Sequence, residues 1–347
     1  MTTPIDPTDS RSSHGSTLMS PTLAVASVGA LAMPKDIPHR SVKVRDTWEF
    51  AVRTTLILCG AFSILTTAAI IIVLFSSAWK FLTHDGVSWT EFFTGTQWNP
   101  LLGSVKHYGV LPLVIGTLLV SAVAMAVALP GGLITAVYLS EYAPRWLRSI
   151  LKPVLEVLAG IPTVVYGFFA LTIITPSLKD IGLKLDVYNA LSAGIAVGIM
   201  CLPIVCSLSE DALQAVPRSL REGAYAVGGT RFDVAVRVVM PAALSGIVAA
   251  FLLAIARAVG ETMIVALAAG SSPASFTNLK ELGSAINPEN STQTMTGYMV
   301  QIFGGDASNF GIEYLSSYAV AATLFVLTFI ITLIGHRVRV KYREVYE

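Results

Sequence analysis

Two charged residues stand inside an otherwise apolar stretch, Ala250-Phe251-Leu252-Leu253-Ala254-Ile255-Ala256-Arg257-Ala258-Val259-Gly260-Glu261-Thr262-Met263. A charge at the centre of a bilayer costs roughly 2.5–3.5 kcal/mol on insertion scales, so two within one apolar run need a reason. The spacing i,i+4 puts Arg257 and Glu261 on one face of a helix, where they can pair. Arginine presents a planar fork of donors that matches an oxyanion. Glu261 could hold that fork in place, or occupy it until an anion arrives. Gly260 between them leaves room for a backbone or a substrate to come close. The plainer alternative is a structural ion pair that locks two spans together.

A second pattern lies in a polar segment, 210–241. Here Glu222-Gly223-Ala224 is followed by three residues, Gly228, nine residues, then Val238, one residue, Met240 and Pro241. Local signals predict a short helix between turns. Ser209 and Asp211 are candidate N-caps, and Ser219 with Glu222 forms a capping-box pattern. Pro217 stops one helix, Gly228-Gly229 permits a turn with positive φ, and Pro241 opens the next apolar run.

Composition says what must hold these residues. Of 347 residues, 54% are hydrophobic and 13% charged, with a net charge of +1. Soluble domains carry roughly 25% charged residues, so a soluble globular protein is excluded, and so is a disordered chain. The near-zero charge argues against nucleic acid as a partner, and lipid is the expected solvent. Helices satisfy their own backbone groups in lipid, so the expected class is all-α and integral to the membrane. Six runs are long enough to span, at about 54–79, 110–140, 155–178, 187–209, 242–270 and 314–335. Lys and Arg number sixteen in one set of flanking segments and five in the alternating set. This bias puts both termini in the cytoplasm. At 1.5 Å per residue Arg257 lies about 20 Å beyond Leu244, past the midplane toward the outside.

Residues 1–34 are rich in Ser, Thr and Pro and are expected to form a disordered cytoplasmic tail. Ala30-Leu31-Ala32 mimics a cleavage site, but only Arg11 precedes it as a basic n-region. The membrane domain is expected over 35–347. Cys59, Cys201 and Cys206 sit in apolar runs and read as small core hydrophobes. His14, His39, His84, His107 and His336 show no metal-ligand spacing. No Walker-type phosphate loop occurs. No metal, no cofactor and no catalytic constellation is therefore expected, and the chain is not read as a self-sufficient enzyme. Smaller features are a local Lys152–Glu156 pair and a Gly194/Gly198 motif for close helix packing. Pro162 and Pro203 could kink their spans. Trp79, Trp89, Trp98 and Tyr108 read as an interfacial belt. The acidic segment 271–313 reads as an external docking platform or a solvated loop, with a helical stretch Thr296–Phe303.

The Glu222–Pro241 spacing resembles the cytoplasmic signature of the binding-protein-dependent ABC importer permeases: Glu-Ala-Ala, three residues, Gly, nine residues, Ile, one residue, Leu-Pro. Gly223, Val238 and Met240 depart from it by small or apolar swaps. The text from Ala256 to Met263 is similar to the phosphate-specific branch of that family, as are Lys152–Pro162 and Val164–Leu171. Ser207–Leu213 and Phe92–Pro100 resemble its PstC type. The resemblance covers about residues 50–340. It implies a type I importer permease fold in a bacterial inner membrane, forming half of the pathway of an ATP-driven inorganic phosphate importer. The implied partners are a PstA-like second permease, two copies of a cytoplasmic ATPase and an external phosphate-binding protein. It also implies that Glu222, Gly223, Ala224, Gly228 and Pro241 form the ATPase coupling element, and that Arg257 and Glu261 matter for transport. Competing readings are a permease for sulfate, molybdate or phosphonate, an ion-driven secondary transporter, and a membrane sensor whose main output is signalling.

Overall fold

The computed structural model describes residues 42–101, 105–276, 279–306 and 311–341. The tail expected over 1–34 lies outside the described residues. The chain divides into two compact units, Met1–Thr66 and Thr67–Glu347.

The chain is overwhelmingly helical. Its elements are α1 (Val42–Leu82), α2 (Trp89–Thr94), β1 (Trp98–Asn99), β2 (His107–Tyr108), α3 (Leu111–Val137), α4 (Arg145–Ala159), α5 (Thr163–Phe169), α6 (Thr175–Asp180), α7 (Ala190–Gln214), α8 (Arg218–Ala226), α9 (Arg231–Val234), α10 (Met240–Ala242), α11 (Leu244–Val259), α12 (Met263–Ala268), α13 (Leu279–Ala285), α14 (Met295–Gln301) and α15 (Ile312–Lys341). Single π-helical turns follow α3 (Tyr138–Tyr142), α5 (Ala170–Ile174), α9 (Ala235–Val239) and α14 (Ile302–Asp306).

In the first unit the described part of α1 is apolar and almost wholly exposed along its length, as expected of a helix whose solvent is lipid. In the second unit α3, α7 and α15 are long and apolar enough to cross a bilayer. Together with α1 that makes four such helices among the described residues. Two helix pairs pass the same test jointly but are bent, Arg145–Ala159 with Thr163–Asp180 by 89° and Arg231–Ala242 with Leu244–Val259 by 71°. Counting each bent pair as one span gives six.

Two of the expected spans carry breaks. The run expected over 155–178 is broken at Gly160-Ile161-Pro162. Proline disfavours helical backbone at the residue before it, and here that adds to the helix-weakening Gly160, so the helix stops at Ala159. The run expected over 242–270 is broken twice, at Ala243 and at Gly260-Glu261-Thr262. Pro203, by contrast, lies inside an uninterrupted α7.

The centre of the second unit is the α3–α7 pair, and small residues bring the two together. A Cβ on Gly194 would sit 2.6 Å from Val123 Cβ, and one on Gly198 would sit 2.8 Å from the Ala124 carbonyl oxygen. The Gly194/Gly198 motif therefore packs as its spacing predicts. Around this seam a core of Val120, Ala124, Ala128, Val197, Cys201, Ala254, Ala258 and Ile264 joins α3, α7, α11 and α12.

An aromatic cap closes the side that carries the β1–β2 hairpin. Phe81, Phe92, Trp98, Tyr108, Met295 and Tyr298 form its buried core. Trp98 packs edge-on against Tyr298 with centroids 4.9 Å apart. This revises the interfacial belt. Trp79 and Trp89 are exposed and stack edge-on at 5.3 Å, whereas Trp98 and Tyr108 are core residues. Lys106 pairs with Glu313 there, and that hydrogen bond holds the ammonium above its ordinary pKa.

Candidate functional site

The membrane site is built on the break between α11 and α12. α11 ends at Val259, with Gly260 as its C-cap at φ −90°, ψ 3°. Glycine in a helix interior costs about 1 kcal/mol relative to alanine, which favours termination here. The last turn leaves Arg257 exposed, and its Nη2 lies 3.9 Å from Met200 Sδ on α7. After the break the chain turns inward. Glu261 is only 7% exposed, and its Oε1 accepts from the Ile264 backbone N–H at 3.4 Å.

The expected i,i+4 pairing of Arg257 with Glu261 is therefore absent. No ion pair within 4.0 Å joins them, because helical geometry ends between them. The break sends the carboxylate into the protein and leaves the guanidinium outside it. Gly260 is exposed, and a Cβ there would meet only carbonyls of its own turn, Ala256 O at 3.5 Å and Arg257 O at 4.0 Å. Among the described residues no other backbone uses the space that Gly260 leaves.

Sequence reasoning missed what holds the break. The stretch Thr292–Tyr298 is buried throughout, within the segment read as a platform or solvated loop. Thr296 Oγ1 donates to the Glu261 carbonyl at 2.7 Å. The Met295 N–H donates to Thr117 Oγ1 on α3 at 3.0 Å, and Tyr298 shares a 2.7 Å hydrogen bond with Ser316 on α15. Gly116 makes room for the segment, since a Cβ there would sit 2.4 Å from the Gln293 carbonyl oxygen. A signal was present: Ser291–Gly305 carries no Asp, Glu, Lys or Arg, although acidic residues surround it. The expected helical stretch Thr296–Phe303 appears as α14 and the π turn after it.

The second site is α8 and the turn after it. Arg218–Ala226 is amphipathic with no fully buried residue. Leu220 and Ala224 pack against a core of Leu139, Leu213, Val234 and Val239. Glu222 and Gly223 point outward and are exposed. Gly228 takes φ 88°, the left-handed turn expected of it. Val227 is 87% exposed, with Tyr225 and Phe232 exposed beside it.

Arg221 anchors this helix inward. Its Nη1 lies 2.9 Å from Glu141 Oε1, and its Nη2 donates to the Leu213 carbonyl at 2.7 Å. One turn earlier on α7, Glu210 is 1% exposed and accepts from Arg148 Nε at 2.6 Å and Gln214 Nε2 at 2.7 Å. Lys152 Nζ lies 3.5 Å from the other Glu210 oxygen and 3.0 Å from Asp211.

Local expectations here change accordingly. α7 runs through Ser209 and Asp211, so neither is an N-cap. Pro217 rather than Ser219 precedes α8, and no capping box forms. Lys152 pairs with Glu210 and Asp211 in place of Glu156, whose side chain makes no ion pair. Pro241 lies in α10, just before the 71° bend.

Residues 128–343 match the family described as "Binding-protein-dependent transport system inner membrane component". This chain belongs to that family. The match contains both sites. Among its relatives, the probable ABC transporter permease protein YqgH of Bacillus subtilis is 37% identical over 227 residues, 65% of this chain and 73% of that protein. The phosphate transport system permease protein PstC of Mesorhizobium japonicum is 32% identical over 322 residues, 84% of this chain and 93% of that protein. Among solved structures, a chain of a bacterial alginate ABC transporter, crystallised with an alginate-pentasaccharide-bound periplasmic protein, superposes with a TM-score of 0.59. It is 14% identical and covers 88% of this chain and 99% of that one, which establishes the shared fold. The chain is thus a multi-pass inner-membrane permease with the type I importer fold.

Proposed function

We propose that this chain is one permease subunit of an ATP-driven inorganic phosphate importer. It would form half of the pathway beside a PstA-like second permease. Two copies of a cytoplasmic ATPase would dock on α8 and its following turn, and a phosphate-binding protein would deliver substrate from outside. The membrane domain begins at about residue 35, and both ends of the chain lie on the cytoplasmic side, where sixteen of the flanking Lys and Arg residues fall.

The observation that carries the substrate class is the exposed Arg257. It sits among apolar helices, released from Glu261 by the α11 break. Phosphate is an oxyanion, and a guanidinium fork can give it two parallel hydrogen bonds. Relatives named phosphate transport permeases, matching over most of the chain, favour phosphate over other oxyanions.

In the cycle we envisage, ATP binding draws the two ATPases together. Each pulls on a coupling helix, and the spans switch from inward-open to outward-open. Glu222, Gly223 and Gly228 shape the docking surface, Ala224 packs the same helix against the spans, and Pro241 stands just before the bend in the pair that leads to Arg257. Phosphate released by the binding protein meets Arg257 on the exposed face of α11. Glu261 holds the start of α12, and so fixes where the break points the arginine.

The test is ATP hydrolysis by the purified four-subunit complex in nanodiscs. Binding protein loaded with phosphate should stimulate it several-fold, and sulfate or molybdate should not substitute. Failure of the ATPase subunit to co-purify would overturn the importer reading. Equal stimulation by a sulfate-loaded partner would overturn the substrate.

A further inference from the structure

α8 has two faces. Leu220, Arg221 and Ala224 point back toward the spans, while Glu222, Gly223, Tyr225 and Val227 point away. The apolar contacts of the inner face are slight, because no residue of α8 is fully buried. Arg221 is the strong connection. It reaches Glu141, in the π turn that ends α3, and the Leu213 carbonyl near the end of α7. Glu141 has only 7% of its side chain exposed and also accepts from Ser140 Oγ at 3.0 Å. One side chain therefore fastens α8 to two of the longest helices of the second unit, the two that pack against each other along their length.

We infer that the Arg221–Glu141 pair is a latch that makes the coupling helix move as one body with α3 and α7, so that motion of the ATPases reaches the spans. This rests on the reading of α8 as the coupling helix, and adds the residues that carry force inward from it. Arg221 is a positioning residue here, since it faces away from the docking surface. The guanidinium suits the role because its fork holds two acceptors at once, one charged and one a carbonyl. A hydrophobic contact would slide under load, whereas a guanidinium held at two points, by a carboxylate on one nitrogen and a carbonyl on the other, keeps its direction. The Glu210 cluster extends the same design. Through Arg148 and Lys152 it ties α4 to α7, so that α4 follows the same body. Arg221 Nε is buried without a hydrogen-bond partner, so the side chain is held by its Nη1 and Nη2 contacts alone.

The experiment uses the whole complex in nanodiscs, with the native cysteines replaced and spin labels at Ser219→Cys, at the exposed start of α8 away from the Val227 patch, and at Leu208→Cys. Distances between the labels are measured without nucleotide and with ATP and vanadate. ATP hydrolysis is measured in parallel on unlabelled complexes in nanodiscs, and phosphate uptake on the same unlabelled complexes in sealed proteoliposomes. The variants are Arg221→Lys, Arg221→Gln and the double variant Glu141→Gln/Arg221→Gln, which leaves no lone buried charge. Glu222→Gln, on the opposite face, is the control for the distance measurement.

In wild type the distance should be narrow and equal in both states. The double variant should assemble and hydrolyse ATP, yet show a broadened distance that differs between states and uptake reduced by at least about tenfold. Arg221→Lys should recover part of both, and Glu222→Gln should leave the distance narrow. A double variant with wild-type distances, or with uptake within about twofold of wild type, would overturn the latch. Loss of the ATPase from the double variant would also overturn it, since the pair would then shape docking. A wild-type complex with no phosphate uptake, but with a narrow and unchanging distance that broadens in the double variant, would sink the substrate reading and leave the latch standing.

Discussion

At the scale of single residues, geometry separates groups that spacing alone would pair. Arg257 and Glu261 are four apart, yet Gly260 ends the helix between them, and one faces outward while the other is buried. What the pair does follows from the break, and the break is held by Thr296. Replacing Thr296 by Val removes its 2.7 Å hydrogen bond to the Glu261 carbonyl and leaves that oxygen unpaired inside the protein. The expected loss is about 1–3 kcal/mol, read as a lower melting temperature of the purified complex, and Thr296→Ser should recover most of it. Gly194 marks a second sensitive position. An alanine Cβ there would sit 2.6 Å from Val123 Cβ, so Gly194→Ala should cost about 1–3 kcal/mol by overpacking. An unchanged melting temperature would show that the α3–α7 seam is looser than described. The residue types at both sites were legible in the sequence. Their partners were not, because Glu141 with Arg221 and Thr296 with Glu261 are brought together by tertiary packing alone.

At the scale of elements, each broken span has a local cause. Hydropathy measures how apolar a run is and does not register a bend, so 155–178 and 242–270 read as continuous. The breaks fall at Gly160-Ile161-Pro162 and Gly260-Glu261-Thr262, where glycine and proline stood in plain view. The buried Thr292–Tyr298 segment escaped for the opposite reason. It is too polar to resemble a core, and apart from the buried Thr292 Oγ1 it satisfies polar groups of its side chains and backbone through Thr117, Ser316, the Glu261 carbonyl and its own turns. The coupling helix was readable because its signature fixes spacing. Gly223 departs from that signature, and an added Cβ would meet no atom within 4 Å. Gly223→Ala should therefore stabilise α8 by up to about 1 kcal/mol and leave uptake intact. A fall in uptake would mean that the partner surface needs the missing Cβ. On the outer face, Val227→Asp places a charge in the exposed apolar patch with Tyr225 and Phe232. The ATPase subunit should then co-purify in much lower yield, and full recovery would place the docking surface elsewhere.

At the scale of the whole molecule, composition already dictated lipid as solvent and helices as the only economical structure. The family match and the shared fold agree with that reading. The features with functional promise lie on exposed surfaces of the chain. Arg257 and the patch around Val227 are both exposed, as expected of a subunit whose pathway and motor are completed by other chains. The most direct measurement is uptake of labelled phosphate at low external concentration by cells that lack their own copy of this permease. The cells carry wild type, Arg257→Ala or an empty vector, with membrane levels of each chain checked and excess unlabelled sulfate and molybdate as competitors. Wild type alone should restore uptake, neither competitor should reduce it, and Arg257→Ala should stay within about twofold of the vector. Restored uptake in Arg257→Ala, or a wild-type chain present in the membrane that carries no phosphate, would contradict the proposal.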